Sequence, residues 1–287
     1  MRFRFIQQQR QRVSISRLCA VLGVSRSGYY AWQKRKPSAR EQANQELIEQ
    51  IQRLFSWSRS TYGYRRIHAS LVDQGIVCSR NRVARLMRQL RLLGRRRRRF
   101  RVTTQSRHNF PVAPNMLARN FWATVPNQKW LADTTYVRTG QGWLYLSIVL
   151  DLYARLVVGW AIEPYLRDTL TLKALNMAIN WRKPPPGLLH HSDRGSQYAS
   201  DRYRNLLAEQ HTVASMSRTG NVYDNAPMES FFATLKSELI HRRHYQTHRE
   251  AKSDIFEYVE VFYNRQRRHS ALNYLSPVQY ESISVTP

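Results

Sequence analysis

Two segments decide the fold: LLHHSDRGSQY at residues 188–198 and YDNAPMESFFATLK at residues 223–236. In the first, Asp193 follows a short apolar run that is typical of the end of a buried strand. In the second, Glu229 falls in the first turn of a helix for which Asn225 is the predicted N-cap. The two acids are therefore predicted to lie on rigid elements.

A third acid, Asp133, lies within KWLADTTYVR at residues 129–138, an alternating and β-rich segment. If the three acids converge to about 5 Å, each pair repels by about 3 kcal/mol at an effective dielectric near 20. Such a cluster requires either a protonated acid or a cation between the carboxylates. Oxygen ligands favour Mg²⁺ or Mn²⁺, and the clustered Cys and His that zinc prefers are missing from the sequence. The acids therefore predict a divalent-metal site.

The pattern around these acids predicts an α/β domain over residues 121–240. The predicted order is three strands, a helix, a strand, a helix, a strand and a helix. That order is the one of an RNase H-like domain, a mixed five-stranded sheet with flanking helices. The sequence also predicts an exposed loop at residues 217–224 and one long helix at 249–265, within a helical and basic C-terminal extension at 241–287.

The N-terminal third is predicted to be all-α, with two helix-turn-helix-like modules at residues 1–36 and 37–94. In the first, Ser25 is the expected N-cap of a recognition helix that carries Arg26. The alternative is an αα-hairpin that packs without touching DNA. In the second module, a helix over residues 79–93 has an apolar stripe that should face the core.

Positive charge dominates the chain, with 46 Lys and Arg against 19 Asp and Glu and a net charge of +27. This balance indicates a polyanionic partner, most simply nucleic acid, and residues 95–120 are interpreted as a basic linker that follows phosphates. The basic segments lack the strongly apolar opposite face of a membrane-binding helix. The residues expected to contact DNA outside the α/β domain are Arg26, Arg85, Arg88, Arg95, Arg96, Arg97, Arg98 and Arg99.

Other features favour a soluble, cytoplasmic and nucleoid-associated protein. The only two cysteines, Cys19 and Cys78, are far apart and fit reduced thiols. The start of the chain has no signal-peptide core. The longest apolar run, residues 143–150, is far too short to span a bilayer.

Residues 130–136, 191–198 and 224–236 resemble segments of the DDE transposases related to retroviral integrases. Asp193 and Glu229 are separated by 35 residues, the spacing of that group, and a basic residue, Lys236, follows seven positions after the glutamate. Further segments resemble the second-frame product of the bacterial insertion-sequence family numbered three. These are residues 62–67, 126–130, 142–146 and 263–277.

The resemblance implies a DNA transposase in which Asp133, Asp193 and Glu229 bind two Mg²⁺ ions, with Mn²⁺ as a substitute. These ions would promote nicking at the element's 3′ ends and attack of the freed 3′-OH on another phosphodiester. Lys236 would contact terminal DNA, whereas Asn225 is assigned first to helix capping. The implied partners are double-stranded DNA, further copies of the chain, and an upstream-frame product joined by frameshift fusion, since the chain itself has no sustained heptad.

Two alternatives remain open at this point. A tyrosine recombinase would use the HxxR formed by His191 and Arg194, with Tyr223 as the nucleophile and no metal. A non-catalytic DNA-binding regulator would use residues 1–94 and carry an inactive α/β domain. Loss of activity in Tyr223→Phe would indicate the tyrosine recombinase. DNA-related activity that remains intact in Asp193→Asn but is lost on deletion of residues 1–94 would indicate the non-catalytic regulator.

Overall fold

The computed structural model describes residues 1–94, 111–218 and 222–285, and it divides into two compact units, Met1–Arg53 and Leu54–Pro287. The arginines predicted at positions 95–99 lie outside the described residues. Within the described ranges, no helix is long and apolar enough to cross a bilayer.

The first unit is helical and contains α1 (Arg2–Gln9), α2 (Ile15–Leu22), α3 (Arg26–Lys34) and most of α4 (Ala39–Trp57). The α2–α3 pair forms as the sequence predicts. The hydroxyl of Ser25 accepts a hydrogen bond from the Gly28 backbone N–H at 3.0 Å, which confirms the predicted N-cap. The small apolar core of this unit contains Ile6, Leu18, Cys19 and Tyr29.

The second unit begins with the end of α4, followed by α5 (Tyr64–Asp73) and α6 (Arg80–Gln89). Val83, Leu86 and Met87 of α6 are buried as predicted. The predicted helix to residue 93 was too long, because Arg91 adopts a left-handed backbone with φ 55° that ends the helix. Leu93 is consequently exposed rather than part of the stripe.

The centre of the second unit is a five-stranded mixed sheet in the order β3-β2-β1-β4-β5. The first three strands form an antiparallel meander, whereas β4 pairs with β1 in parallel and β5 pairs with β4 in parallel. This is the predicted RNase H-like architecture. The strands are β1 (Lys129–Thr139), β2 (Gly142–Asp151), β3 (Leu156–Glu163), β4 (Leu189–Ser192) and β5 (Val213–Met216).

Helices cover the sheet and enclose an apolar core that includes Trp130, Val158 and Leu175. Gly159 of β3 allows the helix at Asp168–Arg182 to approach the sheet closely, because a Cβ at this position would lie 2.2 Å from the Ala174 carbonyl oxygen. The helices of this region are α7 (Asp168–Arg182), the single turn α8 (Ser196–Ala199), α9 (Asp201–Glu209) and α10 (Ala226–Glu238), the last preceded by a 3₁₀ turn (Val222–Asn225).

The C-terminal extension differs from the single long helix predicted at residues 249–265. A capping box at Thr247 and Glu250 starts α11 (His248–Phe256), which continues as a π-helix (Glu257–Tyr263). Tyr258, Val259 and Phe262, which the sequence places on one side of the predicted helix, are buried, and the wider turn buries Tyr263 as well. Two 3₁₀ turns (Ile240–Arg242 and Ser270–Leu272) and α12 (Pro277–Val285) complete the extension.

Candidate active site

Asp133 and Asp193 lie side by side on neighbouring strands. In the parallel pairing of β1 and β4, Ala132 is opposite Ser192, and each aspartate is the next residue along its strand direction. Adjacent strands are about 4.8 Å apart, so this register alone brings the two carboxylates into direct proximity. The sheet therefore brings together the first two predicted site residues.

The Asp133 carboxylate is in an environment that opposes its negative charge. Burial raises its pKa well above the ordinary value, and the nearby charges of Asp193 and Glu229 raise it further. The Thr134 backbone N–H donates to Asp133 Oδ1 at 2.7 Å, and Lys236 also acts in the opposite direction. The Thr134 hydrogen bond and the charge of Lys236 do not reverse the upward pKa shift of Asp133. Added positive charge would therefore stabilise the ionised forms of Asp133 and Asp193.

The loop after β4 orients Asp193. The Gly195 backbone N–H donates to Asp193 Oδ1 at 2.9 Å, which forms a tight turn at the strand end. Asp193 is partly exposed, as expected for an acid at the edge of a parallel sheet. The carboxylate is therefore fixed in direction yet accessible.

Glu229 is in the first turn of α10, which packs on β1. Burial raises its pKa, and its charge is close enough to raise the pKa of Asp133. Among residues 1–94, 111–218 and 222–285, however, no three acidic, His or Cys side chains form a group that could hold an ion. The structure thus gives an aspartate pair with Glu229 nearby, rather than a closed set of three ligands.

Lys236 lies further along α10 and is largely buried. Its Nζ is 4.9 Å from the centre of the Tyr136 ring, and burial lowers its pKa. The charge of Asp133 partly offsets this effect. Lys236 is therefore on the acid side of α10, as its spacing from Glu229 predicted, but little of its side chain reaches solvent.

Asp224 has a structural role that the sequence analysis missed, since an exposed loop was predicted there. It is fully buried and accepts hydrogen bonds from Arg218 Nε at 3.1 Å, Arg119 Nε at 3.1 Å and Asn115 Nδ2 at 2.9 Å. These bonds, led by that from Arg218, lower its pKa despite burial. Asp224 thereby anchors the chain just before the helix that carries Glu229.

Asn225 occupies the N-cap position of α10, as predicted, but its side chain makes no capping hydrogen bond. Neither Oδ1 nor Nδ2 has a partner, although the side chain is buried. The capping role expected for this side chain is therefore wrong, and its backbone, with φ −122° and ψ 28°, ends the preceding 3₁₀ turn instead.

The HxxR segment has a structural role. Both ring nitrogens of His191 are bonded to serine hydroxyls, Ser215 at 2.9 Å and Ser217 at 3.0 Å, and burial lowers its pKa to about 4. Arg194 Nε donates to the Ser217 carbonyl at 2.7 Å. These bonds tie the end of β4 to the end of β5 and leave no role for His191 in proton transfer near neutral pH.

Glu238 at the end of α10 is buried and ion-paired, whereas Glu229 in the first turn is exposed. Arg267 Nε and Nη2 donate to the two oxygens of Glu238 at 2.8 and 2.7 Å, and the Tyr258 hydroxyl donates at 2.9 Å. The charge of Arg267 is the main factor that lowers the pKa of Glu238 against the effect of burial. Glu238 therefore has a structural role.

The arginines predicted to contact DNA are exposed where the structure describes them. Arg26 is on α3, and Arg85 and Arg88 lie on the outer face of α6. All three side chains are therefore accessible to a ligand.

Comparison with known proteins gives three family matches. A model described as "Integrase core domain" matches residues 123–222, a second of that description matches residues 229–285, and an "HTH-like domain" matches residues 42–100.

Two curated relatives match nearly the whole chain. An uncharacterized 31 kDa protein of insertion element IS600 from Shigella sonnei is 49% identical, covering 92% of this chain and 97% of its own length. The transposase InsF of insertion sequence IS3A from Escherichia coli strain K12 is 40% identical, covering 98% and 99%.

Two viral structures also match. The simian T-cell lymphotropic virus intasome in complex with a PP2A regulatory subunit matches with a TM-score of 0.48 and 14% identity, over 83% of this chain and 75% of that chain. The HTLV-2 integrase catalytic core in complex with magnesium matches with a TM-score of 0.43 and 15% identity, over 56% and 99%.

Proposed function

This chain belongs to the IS3 family of insertion-sequence transposases, and we propose that Asp133, Asp193 and Glu229 are its catalytic residues. The protein is a DNA transposase with a DNA-binding HTH-like domain, and it cleaves DNA and transfers strands. The proposal assigns that chemistry to two Mg²⁺ ions, replaceable by Mn²⁺, bound by the three carboxylates.

The observation that carries this proposal is the position of Asp133 beside Asp193 on adjacent parallel strands. Burial and a second acid raise the pKa of Asp133, so the pair is costly to ionise without a cation. The donors are all carboxylate oxygens, which suit a hard divalent ion. The residues present therefore fit the metal that the family implies.

Each protein group has a distinct role in this proposal. The Thr134 and Gly195 backbone N–H groups orient the two aspartates, and Asp224 anchors the start of α10 so that Glu229 can approach the pair. When bound, two divalent ions would activate the attacking oxygen and stabilise the leaving oxygen at the scissile phosphodiester.

Two successive reactions use this arrangement. Water first replaces the 3′ oxygen at one phosphodiester and leaves a free 3′-OH at the element end. That 3′-OH then displaces the corresponding oxygen in target DNA, so one phosphodiester is exchanged for another and no further energy source is needed. Lys236 lies on the acid side of α10 and would contact the terminal nucleotides.

DNA binding outside the core is assigned to exposed arginines. Arg26, Arg85 and Arg88, together with the arginines at positions 95–99, would contact phosphates of the element ends and target. Two DNA ends must be brought together, so the active form would be an oligomer on DNA. An upstream-frame product, fused or associated, would supply further end recognition.

The test is strand nicking and joining on a labelled duplex that carries the element's ends, with Mg²⁺, Mn²⁺ or a chelator. A parallel sample would contain the upstream-frame segment as a fusion. Asp133→Asn, Asp193→Asn and Glu229→Gln should each lower the rate by about 10³-fold or more, because the electrostatic stabilisation of the reaction is lost. Asp168→Asn, an acid outside the site, should react at the normal rate.

Other outcomes identify the alternatives. Activity that persists in chelator and disappears in Tyr223→Phe would establish a tyrosine recombinase and overturn the metal mechanism. Normal DNA-dependent function in all three acid variants, lost only on deletion of residues 1–94, would establish a non-catalytic regulator.

A further inference from the structure

A cavity of about 350 Å³ lies within the second unit, against α10. Ala226, Ser230 and Thr234 form one wall, at i, i+4 and i+8 of the helix. Since the helix turns by about 100° per residue, Glu229 and Lys236 project about 100–120° around the axis from the middle of this wall. The lining includes none of Asp133, Asp193 and Glu229, so the cavity is distinct from the proposed metal site, although both use the same helix.

The lining of the cavity is strongly basic. Arg66, Arg155 and Arg267 contribute to it, and none of the lining residues in the described chain is acidic. Glu238, which lies behind the lining, neutralises Arg267 with two hydrogen bonds and is 3.8 Å from Arg66. Glu238 thus pairs with two of the three guanidinium groups, and an excess of positive charge faces the cavity.

Arg155 is the group that most clearly lacks an anion. Within the described part of the chain its side chain has no hydrogen bond or ion pair, although it is only partly exposed. Burial lowers its pKa, which means that the surroundings disfavour its charge. An anion in the cavity would reverse this cost and could accept two parallel N–H bonds from the guanidinium.

His269 adds a neutral donor. Its pKa is well below the ordinary value because of burial and the neighbouring arginines, so the ring is uncharged at neutral pH. Arg267 Nη1 lies 3.3 Å from His269 Nε2, and a guanidinium can only donate. Nε2 is therefore the acceptor, and the ring proton lies on Nδ1.

The remaining walls are apolar and aromatic, including Phe121, Leu150 and Phe231. The volume lies within the range of about 300–1,000 Å³ that is usual for small-molecule sites. Guanidinium groups beside apolar surface match a ligand with an anionic group and a flat or apolar body. A nucleotide has both parts, and DNA, the substrate of this enzyme, supplies nucleotides.

We propose that the cavity behind α10 binds the phosphate of a nucleotide, with Arg155 as the main phosphate ligand and the apolar wall against the sugar or base. The nucleotide comes either from a DNA strand or from free solution, and the phosphate chemistry is the same. Because the cavity shares α10 with Glu229, its occupation would stabilise the helix that carries this acid.

The experiment uses the full chain carrying Asp133→Asn, in chelator, so that its result does not depend on the proposed metal site. Binding of deoxyadenosine monophosphate is measured by titration calorimetry. Arg155→Gln should weaken binding by about tenfold to a hundredfold, the usual effect of losing a hydrogen bond to a charged group. Arg202→Gln, which removes an exposed arginine of the same unit outside the cavity, should bind normally.

A second variant tests the cavity without changing charge. Ala271→Trp places bulk at an exposed lining position and should also abolish binding while thermal unfolding remains unchanged. A 5′-phosphorylated single-stranded oligonucleotide that competes with the mononucleotide in the parent protein, but not in Arg155→Gln, assigns the ligand to a DNA strand. Binding of the mononucleotide without such competition assigns it to a free nucleotide. Absence of binding, or equal binding in Arg155→Gln and Arg202→Gln, would overturn the proposal.

Discussion

Glu238 is a buried acid at the end of α10 and Asp133 is a half-buried acid on the neighbouring strand β1, and their surroundings shift their pKa values in opposite directions. At Glu238, Arg267 forms a bidentate pair and the pKa is lowered. At Asp133, burial and two further acids raise the pKa, and the charge of Lys236 opposes them only in part. Burial raises the pKa at both sites, so the opposite net shifts arise from the sign of the neighbouring charge.

This contrast separates an acid that stabilises the fold from an acid that we propose binds a cation. The protein supplies the countercharge of Glu238 from its own chain, and nothing else is needed there. At the aspartate pair the chain supplies more negative charge instead. A site of that kind is expected to recruit an external cation.

The largest stability effect is expected at the neutralised acid. Arg267→Met should lower the free energy of unfolding by about 3–5 kcal/mol, because Glu238 would remain buried and ionised without its partner. Urea unfolding measures the change, and adding Glu238→Gln to Arg267→Met should recover part of it. Equal stability of Arg267→Met and the parent would contradict the structural role of this pair.

A smaller effect should distinguish the two sites by their response to metal. Mg²⁺ at a hundredfold excess over its dissociation constant should raise the free energy of unfolding by about 2.7 kcal/mol. Asp133→Asn should show no such increase on addition of Mg²⁺. Glu238→Gln should show the same increase, although its free energy of unfolding without Mg²⁺ is lower than that of the parent. Thermal unfolding with and without Mg²⁺ gives the measurement, and an increment that survives Asp133→Asn would place the ion elsewhere.

The smallest expected effect is a pH dependence of the free energy of unfolding, measured in the presence of a chelator. The pKa of Asp133 is higher in the folded state than its unfolded value of about 3.9. The protonated Asp133 side chain therefore contributes its full stabilisation below about pH 3.9, and this stabilisation is lost as the pH rises through the folded-state pKa. Asp133→Asn should therefore be more stable than the parent at neutral pH, with the difference disappearing near pH 4.

Glu238 serves as an internal control, because its effect on stability should change with pH in the opposite direction. Because the pKa of Glu238 is lowered in the folded state, the ionised side chain stabilises the fold at pH values above its unfolded pKa. This stabilisation is lost as the pH falls through the folded-state pKa. Glu238→Gln should accordingly lose stability relative to the parent at neutral pH. Differences of the same sign for both variants would show that burial, rather than the neighbouring charge, dominates at both sites.

The strand meander, the helix that carries Glu229 and the cap at Ser25 could be predicted because each depends on local sequence. Alternation, turn residues and capping residues report directly on neighbouring positions. The position of Asp133 beside Asp193 followed only from the expected sheet order and the family resemblance. The catalytic assignment of the three acids stays a prediction until variants are measured.

The features that sequence reasoning missed depend on distant partners. Asp224 is buried because Arg119 and Asn115, about a hundred positions earlier, reach it. The basic cavity combines Arg66, Arg155 and Arg267 from three separate regions. No periodic pattern reports such contacts, because each residue alone has the sequence context of an ordinary surface position.

The parallel register of β1 and β4 also has a consequence for biosynthesis. Asp133 and Asp193 are sixty positions apart, and only the non-local pairing of Ala132 with Ser192 brings them together. Such long-range pairings form late, since loop closure must precede them. A nascent chain that stalls on the ribosome before β4 therefore has no aspartate pair, and under the proposed assignment such a truncated translation product would be unable to cut the genome of its host.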